Sequence, residues 1–151
     1  MSAGKPLSVL CLSGPNLQLL GTREPEIYGS ETLAMIHDRL IERGKALGCS
    51  IDARQSNHEG ELVTFIGDAR TAKFDGILLN PAAYTHTSIA LYDALKAVAL
   101  PCVEVHLSNP DAREAFRKHS YVAAACLGRV AGFGGNSYVL ALEGLVASLR
   151  R

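Results

Sequence analysis

The chain has no tryptophan, no net charge, no long hydrophobic run and no paired-cysteine motif, and each absence argues against a class of function. Fifteen Lys and Arg balance fifteen Asp and Glu over 151 residues, which argues against nucleic acid or a membrane surface as the main partner. No apolar run approaches the roughly 20 residues needed to cross a bilayer. The opening Met-Ser-Ala-Gly-Lys-Pro leads into no extended apolar segment, so no signal peptide is expected. Cys11, Cys49, Cys102 and Cys126 are scattered, and three of them sit in apolar strand-like runs that suit buried, reduced thiols. A cytoplasmic protein is the expectation. P-loop, HExxH and G-x-S-x-G patterns are missing, as is any spaced Cys/His set, so no metal or nucleotide site is expected.

What is present is alternation. Hydrophobic content of 48% with 20% charged residues is ordinary for a globular chain of one domain, spanning 1–151. Strand-like runs fall at Leu7–Ser13, Ser50–Gln55, Gly76–Asn80, Cys102–Ser108 and Cys126–Gly132. Helix-period segments lie between them, marked by Leu33, Ile36, Leu40 and Leu47, then Leu62, Phe65, Ile66 and Ala69, then Leu91, Leu95 and Val98. Ala112–Lys118 reads as a short fourth helix, and Val139, Leu142, Val146 and Leu149 mark the last. Five strands alternating with five helices predict an α/β fold: a five-stranded parallel sheet with helices on both faces. The simplest topology is the flavodoxin-like order 2-1-3-4-5, with ligands bound beyond the carboxyl ends of the strands.

Three segments follow those ends. The first, Gly14 to Gly29, is longer than a strand–helix connection needs. It carries Asn16, Arg23 and Tyr28 between the hinge-like Gly14, Gly21 and Gly29. An Arg near a Tyr can stabilise the phenolate and make it a general base. The second, Asn80-Pro-Ala-Ala-Tyr-Thr-His-Thr-Ser88, ends in hydroxyl residues suited to capping a helix and places Asn80 and His86 near the rim. The third is the strand Val103-Glu-Val-His-Leu-Ser-Asn109. Its two-residue period puts Glu104, His106 and Ser108 on the face opposite Val103, Val105 and Leu107. Such polar groups are costly to bury without partners, and a Glu beside a His can orient the ring and favour its protonated form. Arg113 and Arg117, four apart on the expected fourth helix, can grip one anion. His37, His58 and His119 read as structural or solvated. The inventory suits proton abstraction beside a carbonyl with loss of water.

The segments GPNLQLLGTREPEIYG, NPAAYTHTS, EVHLSN and REAFRKHS, in this order and spacing, closely resemble type II 3-dehydroquinate dehydratase over essentially the whole chain. The resemblance implies a cofactor-free, metal-free enzyme converting 3-dehydroquinate to 3-dehydroshikimate through an enolate, in the shikimate pathway or in quinate catabolism. It implies a homododecamer, a tetramer of trimers. It makes Tyr28 the base, Arg23 its activator, Asn16 a holder of the enolate oxygen or water, and His106 the acid oriented by Glu104. Asn80, His86, Leu107, Ser108 and Arg117 would bind substrate, with Arg113 as a lid contact and Asp93 entering from a neighbouring subunit. Gln18 stands where the family often has Asn. The competing readings are an FMN carrier, disfavoured by the missing Trp and by a Leu- and charge-rich first loop, and a receiver-like regulator, disfavoured by the lack of an acidic cluster there.

Overall fold

In the computed structural model, residues 4–22 and 24–151 are described, with the side chain of Tyr28 outside that description. Five strands, β1 (Leu7–Ser13), β2 (Cys49–Gln55), β3 (Gly76–Asn80), β4 (Cys102–His106) and β5 (Gly128–Ala131), form an all-parallel sheet ordered β2-β1-β3-β4-β5. The expected topology is the observed one. Strand alternation divides the core between the two faces. Val9, Cys11, Leu78, Val103 and Val105 pack with α2 (Leu33–Ala46) and α5 (Asn136–Leu149), whereas Leu10, Leu12, Ile77, Leu79 and Cys102 pack with α3 (Glu59–Asp68) and α4 (Ile89–Val98). The central strands therefore bury both faces, as parallel sheets do.

Local chemistry fixes the helix starts. Thr32 accepts the Met35 N–H at 3.2 Å to cap α2, and Ser88 accepts the Leu91 N–H at 2.9 Å to cap α4. Leu33, Ile36 and Leu40 line the buried stripe of α2, and Leu91, Leu95 and Val98 that of α4. In α5 the stripe is rotated from the expected one. Tyr138, Ala141, Leu142, Leu145 and Val146 are buried, while Val139 and Leu149 are only half-buried.

Two expectations change at the carboxyl rim. β4 ends at His106, so Leu107 and Ser108 already belong to the turn that follows. The helix expected over Ala112–Lys118 is replaced by two short 3-10 turns, Pro110–Ala112 and Ala115–Arg117, with Arg113 extended between them at φ −111 and ψ −158. Pro110 lacks an N–H, and the Asn109 side chain closes a tight turn by accepting from the Asp111 N–H at 3.1 Å.

The connection from β1 to α2 is partly ordered by a 3-10 turn, Leu17–Leu19, and a single helical turn, α1 (Pro25–Tyr28). Leu17 and Leu20 anchor it in the core, while Glu24, Pro25, Glu26 and Ile27 are exposed. Gly14 is required at its root, because a Cβ there would lie 2.5 Å from the Pro81 carbonyl oxygen. That close approach brings the exits of β1 and β3 together, with the Gly14 N–H donating to the Asn80 carbonyl at 2.8 Å.

Candidate active site

Strand alternation turns Glu104 and His106 away from the α2/α5 face, and parallel register aligns Leu79, Glu104 and Arg129 across β3, β4 and β5. Glu104 is fully buried. Its Oε2 accepts from His106 Nε2 at 2.5 Å and from Thr85 Oγ1 at 2.6 Å. The Ser120 hydroxyl lies 3.0 Å from both carboxylate oxygens, and Arg129 donates from Nε to Oε1 at 3.0 Å and from Nη2 to Oε2 at 3.4 Å. Burial alone would favour the neutral acid. The bond and charge of His106, the Thr85 hydroxyl and the Arg129 cation outweigh it and hold the carboxyl down to about 2.

An ionised carboxylate only accepts, so His106 Nε2 carries the proton of that bond and Nδ1 is the nitrogen left to serve the cleft. His86 is fixed in the complementary sense. Its Nδ1 pairs with the His119 carbonyl at 2.8 Å and must be the donor. Partial burial and the nearby His106 and Arg117 charges favour its neutral form, with a pKa below the ordinary value despite that bond. Its Nε2 is therefore an acceptor.

Asn80 is held from three sides. Its Oδ1 accepts the Ala82 N–H at 3.0 Å, its Nδ2 donates to the Tyr138 hydroxyl at 3.1 Å, and its carbonyl binds Gly14. Tyr138 is 2.8 Å from Ser13 Oγ and wholly buried, and burial moves its hydroxyl above the ordinary phenol range. Ala82 pays for the turn with a left-handed φ of 52. Asn80, Ala82 and His86 line a cleft with Leu17, His106, Leu107, Ser108, Pro110, Arg113 and Arg117. Arg113 Nη1 donates to Ser108 Oγ at 3.2 Å, and Glu114 lies beside both arginines, 2.9 Å from Arg117 Nε and 3.8 Å from Arg113 Nε.

Seven of the expected residues thus meet in one cleft: Asn80, His86, His106, Leu107, Ser108, Arg113 and Arg117. Glu104 stands behind His106. The two arginines converge although no helix carries them. Asn16 is exposed in the β1 connection in a left-handed conformation (φ 70), its N–H bound to Asn57 Oδ1 at 3.0 Å, and it is not among the lining residues. Asp93 is exposed on α4, outside the cleft of its own chain. Arg23 and the Tyr28 side chain lie outside the described residues.

A family model described as dehydroquinase class II matches residues 7–146. The chain belongs to this family. Among its relatives, a 3-dehydroquinate dehydratase from Rhodopseudomonas palustris is 54% identical over 144 residues, covering 95% of each chain. One from Nostoc sp. is 56% identical over 146 residues, covering 97% of this chain and 99% of the relative. The crystal structure of a type II dehydroquinase from Butyrivibrio crossotus matches with a TM-score of 0.91 at 39% identity, covering 94% of this chain and 99% of that one. The class II dehydroquinase assignment leaves the flavin-carrier and receiver readings without support.

Sequence reasoning missed the groups that hold the site rather than face it. Thr85, in the 3-10 turn Ala82–His86, and Ser120, in a loop, bind Glu104, and nothing in their local sequence marks them. Arg129 carries a faint signal, a cation in a strand-like run. Tyr138 carries none, since a tyrosine in an apolar helix reads as core. Among the described residues no group of three or more His, Cys, Asp or Glu side chains could hold a metal ion, and no helix is long and apolar enough to cross a membrane.

Proposed function

We propose that this class II dehydroquinase is a 3-dehydroquinate dehydratase that removes the C2 proton first and expels the C1 hydroxyl second. The observation that carries the acid half of this reading is the buried Glu104–His106 pair opening onto a cleft that also holds Arg113 and Arg117. In this reading a Tyr28 phenolate takes the C2 proton, and the electron pair moves into an enolate. Asn16 holds the enolate oxygen or a water. His106 then protonates the C1 hydroxyl, which leaves as water as the enolate collapses to the conjugated enone. Arg23 activates Tyr28; this role and that of Tyr28 rest on the family resemblance. Asn80 supplies a donor and His86 an acceptor for substrate hydroxyls, Ser108 and Leu107 line the ring, and the arginines take the carboxylate. Each group that the chemistry needs is a side chain of the protein, so no cofactor enters the scheme.

A homododecamer with Asp93 reaching a neighbouring site belongs to the same reading. It is supported by the exposure of Asp93 and of Ile89 on α4, and native mass spectrometry tests it. The four free cysteines fit a reducing cytoplasm.

The test is an ultraviolet assay following the enone formed from 3-dehydroquinate. Tyr28→Phe keeps the ring and removes the ionisable oxygen, so turnover should fall by about 10²–10⁴ or more and C2 exchange with heavy water should stop. Robust exchange in that variant would name another base.

A further inference from the structure

Glu104 has two cationic neighbours of different kinds. One is His106, whose charge changes in the reaction. The other is Arg129, whose guanidinium stays charged throughout the accessible pH range. Arg129 comes from β5 at the register position directly opposite Glu104, and its Nε and Nη2 reach both carboxylate oxygens. Thr85 and Ser120 supply hydroxyls and no charge. Of the other titratable groups near the carboxylate, Cys102 lies on the same strand face, and its contact with Cys126 and its burial keep it a neutral thiol. His86, from the turn after β3, is biased towards its neutral form. Arg129 is therefore the fixed counter-charge of Glu104.

The need for one follows from the proton inventory. If Glu104 took the Nε2 proton, the pair would collapse to a carboxylic acid and a neutral imidazole with its hydrogen on Nδ1. A neutral imidazole N–H is a far weaker acid than an imidazolium, so the cleft would face a poor donor. A fixed cation bridging both carboxylate oxygens favours the carboxylate over the carboxylic acid and so opposes that collapse. The same cation compensates the buried anion after His106 has given its proton away, when no charge remains on the ring.

We propose that Arg129 is a positioning residue for the acid half of the site, keeping Glu104 an anion in both charge states of His106. This rests on the reading of His106 as the acid. Nothing in it requires Arg129 to touch substrate, and it lies outside the set of side chains lining the cleft.

The experiment compares Arg129→Gln and Arg129→Lys with the parent enzyme. ¹³C-carboxyl NMR of glutamate-labelled protein reads Glu104 directly. In the Gln variant its titration should move up by about one unit or more, the scale of losing a cation within a few ångströms. Dehydration kcat should fall about tenfold with KM changed less than twofold, and the acidic limb of the pH–rate profile should move upward. C2 exchange, which precedes the acid step, should persist. Arg129→Lys should restore most of the lost kcat, because it returns the charge. An unchanged Glu104 titration and pH profile in the Gln variant would overturn the proposal. Equal losses in Gln and Lys with no titration shift would also overturn it, since shape rather than charge would then matter. If the Gln variant fails to fold, the Lys variant decides: retention of the parent's low carboxyl titration supports the proposal, and its loss counts against it. A parent protein without dehydratase activity would defeat the functional reading, while the carboxyl titration would still judge the role of Arg129.

Discussion

Two polar networks support the cleft from opposite faces of the sheet, and they are built on different chemistry. On the α3/α4 face, Glu104 gathers His106, Arg129, Thr85 and Ser120 around a full negative charge. On the α2/α5 face, Ser13, Tyr138 and Asn80 form a neutral chain in which each hydrogen bond fixes the direction of the next. The charged network sets the strength of an acid; the neutral one aims an amide. Their failure conditions differ accordingly. Glu104 is held near 2, well below its ordinary value, so its contribution to stability is complete above about pH 4.5 and disappears as pH falls towards 2. Tyr138 is raised above the usual phenol range, so its contribution is complete below about pH 10 and is lost as pH rises beyond that.

The largest test of this contrast cuts the charged network at its working end. His106→Ala should lower dehydration by about 10²–10⁴ while exchange of the C2 proton with heavy water continues, because only the second step loses its acid. Loss of both together would place His106 in the first step as well. The neutral network should respond more mildly. Tyr138→Phe removes the oxygen that receives Asn80 Nδ2 and leaves Ser13 without that partner, costing about 1–3 kcal/mol of stability. The Asn80 amide then keeps only its Oδ1 bond to the Ala82 N–H and loses the anchor at Nδ2, so KM should rise several-fold with kcat little changed. A kcat loss as large as that of His106→Ala would erase the distinction between aiming and proton transfer. The smallest effect is in the pH dependence of melting. Tyr138→Phe should flatten the alkaline arm of the parent curve, and Glu104→Gln the acidic arm; an exchange of these signatures would contradict the assignment.

The two networks also differ in how far the sequence disclosed them. Glu104 and His106 are visible as polar residues at alternate positions of an apolar strand, where burial without partners is costly. Their partners are not visible, because Arg129 meets Glu104 only once β5 has taken its register against β4. Asn80 is legible at a strand end followed by proline, whereas Tyr138 is concealed by the apolar helix around it. The strand order follows from alternation and length. The segment after β4 misleads for a local reason, since charged and apolar residues at helical spacing give no sign that Pro110 and Asn109 will close a tight turn instead. From sequence, His119 reads as structural or solvated. Its backbone carbonyl, which no side-chain reading can expose, is what orients His86.

Glu114 has a consequence for how the arginines meet a ligand. Its carboxylate sits beside both Arg113 and Arg117, so an anion entering the cleft meets guanidinium groups already engaged by an internal carboxylate. The gain from that contact is then the difference between two ion pairs rather than the whole of one.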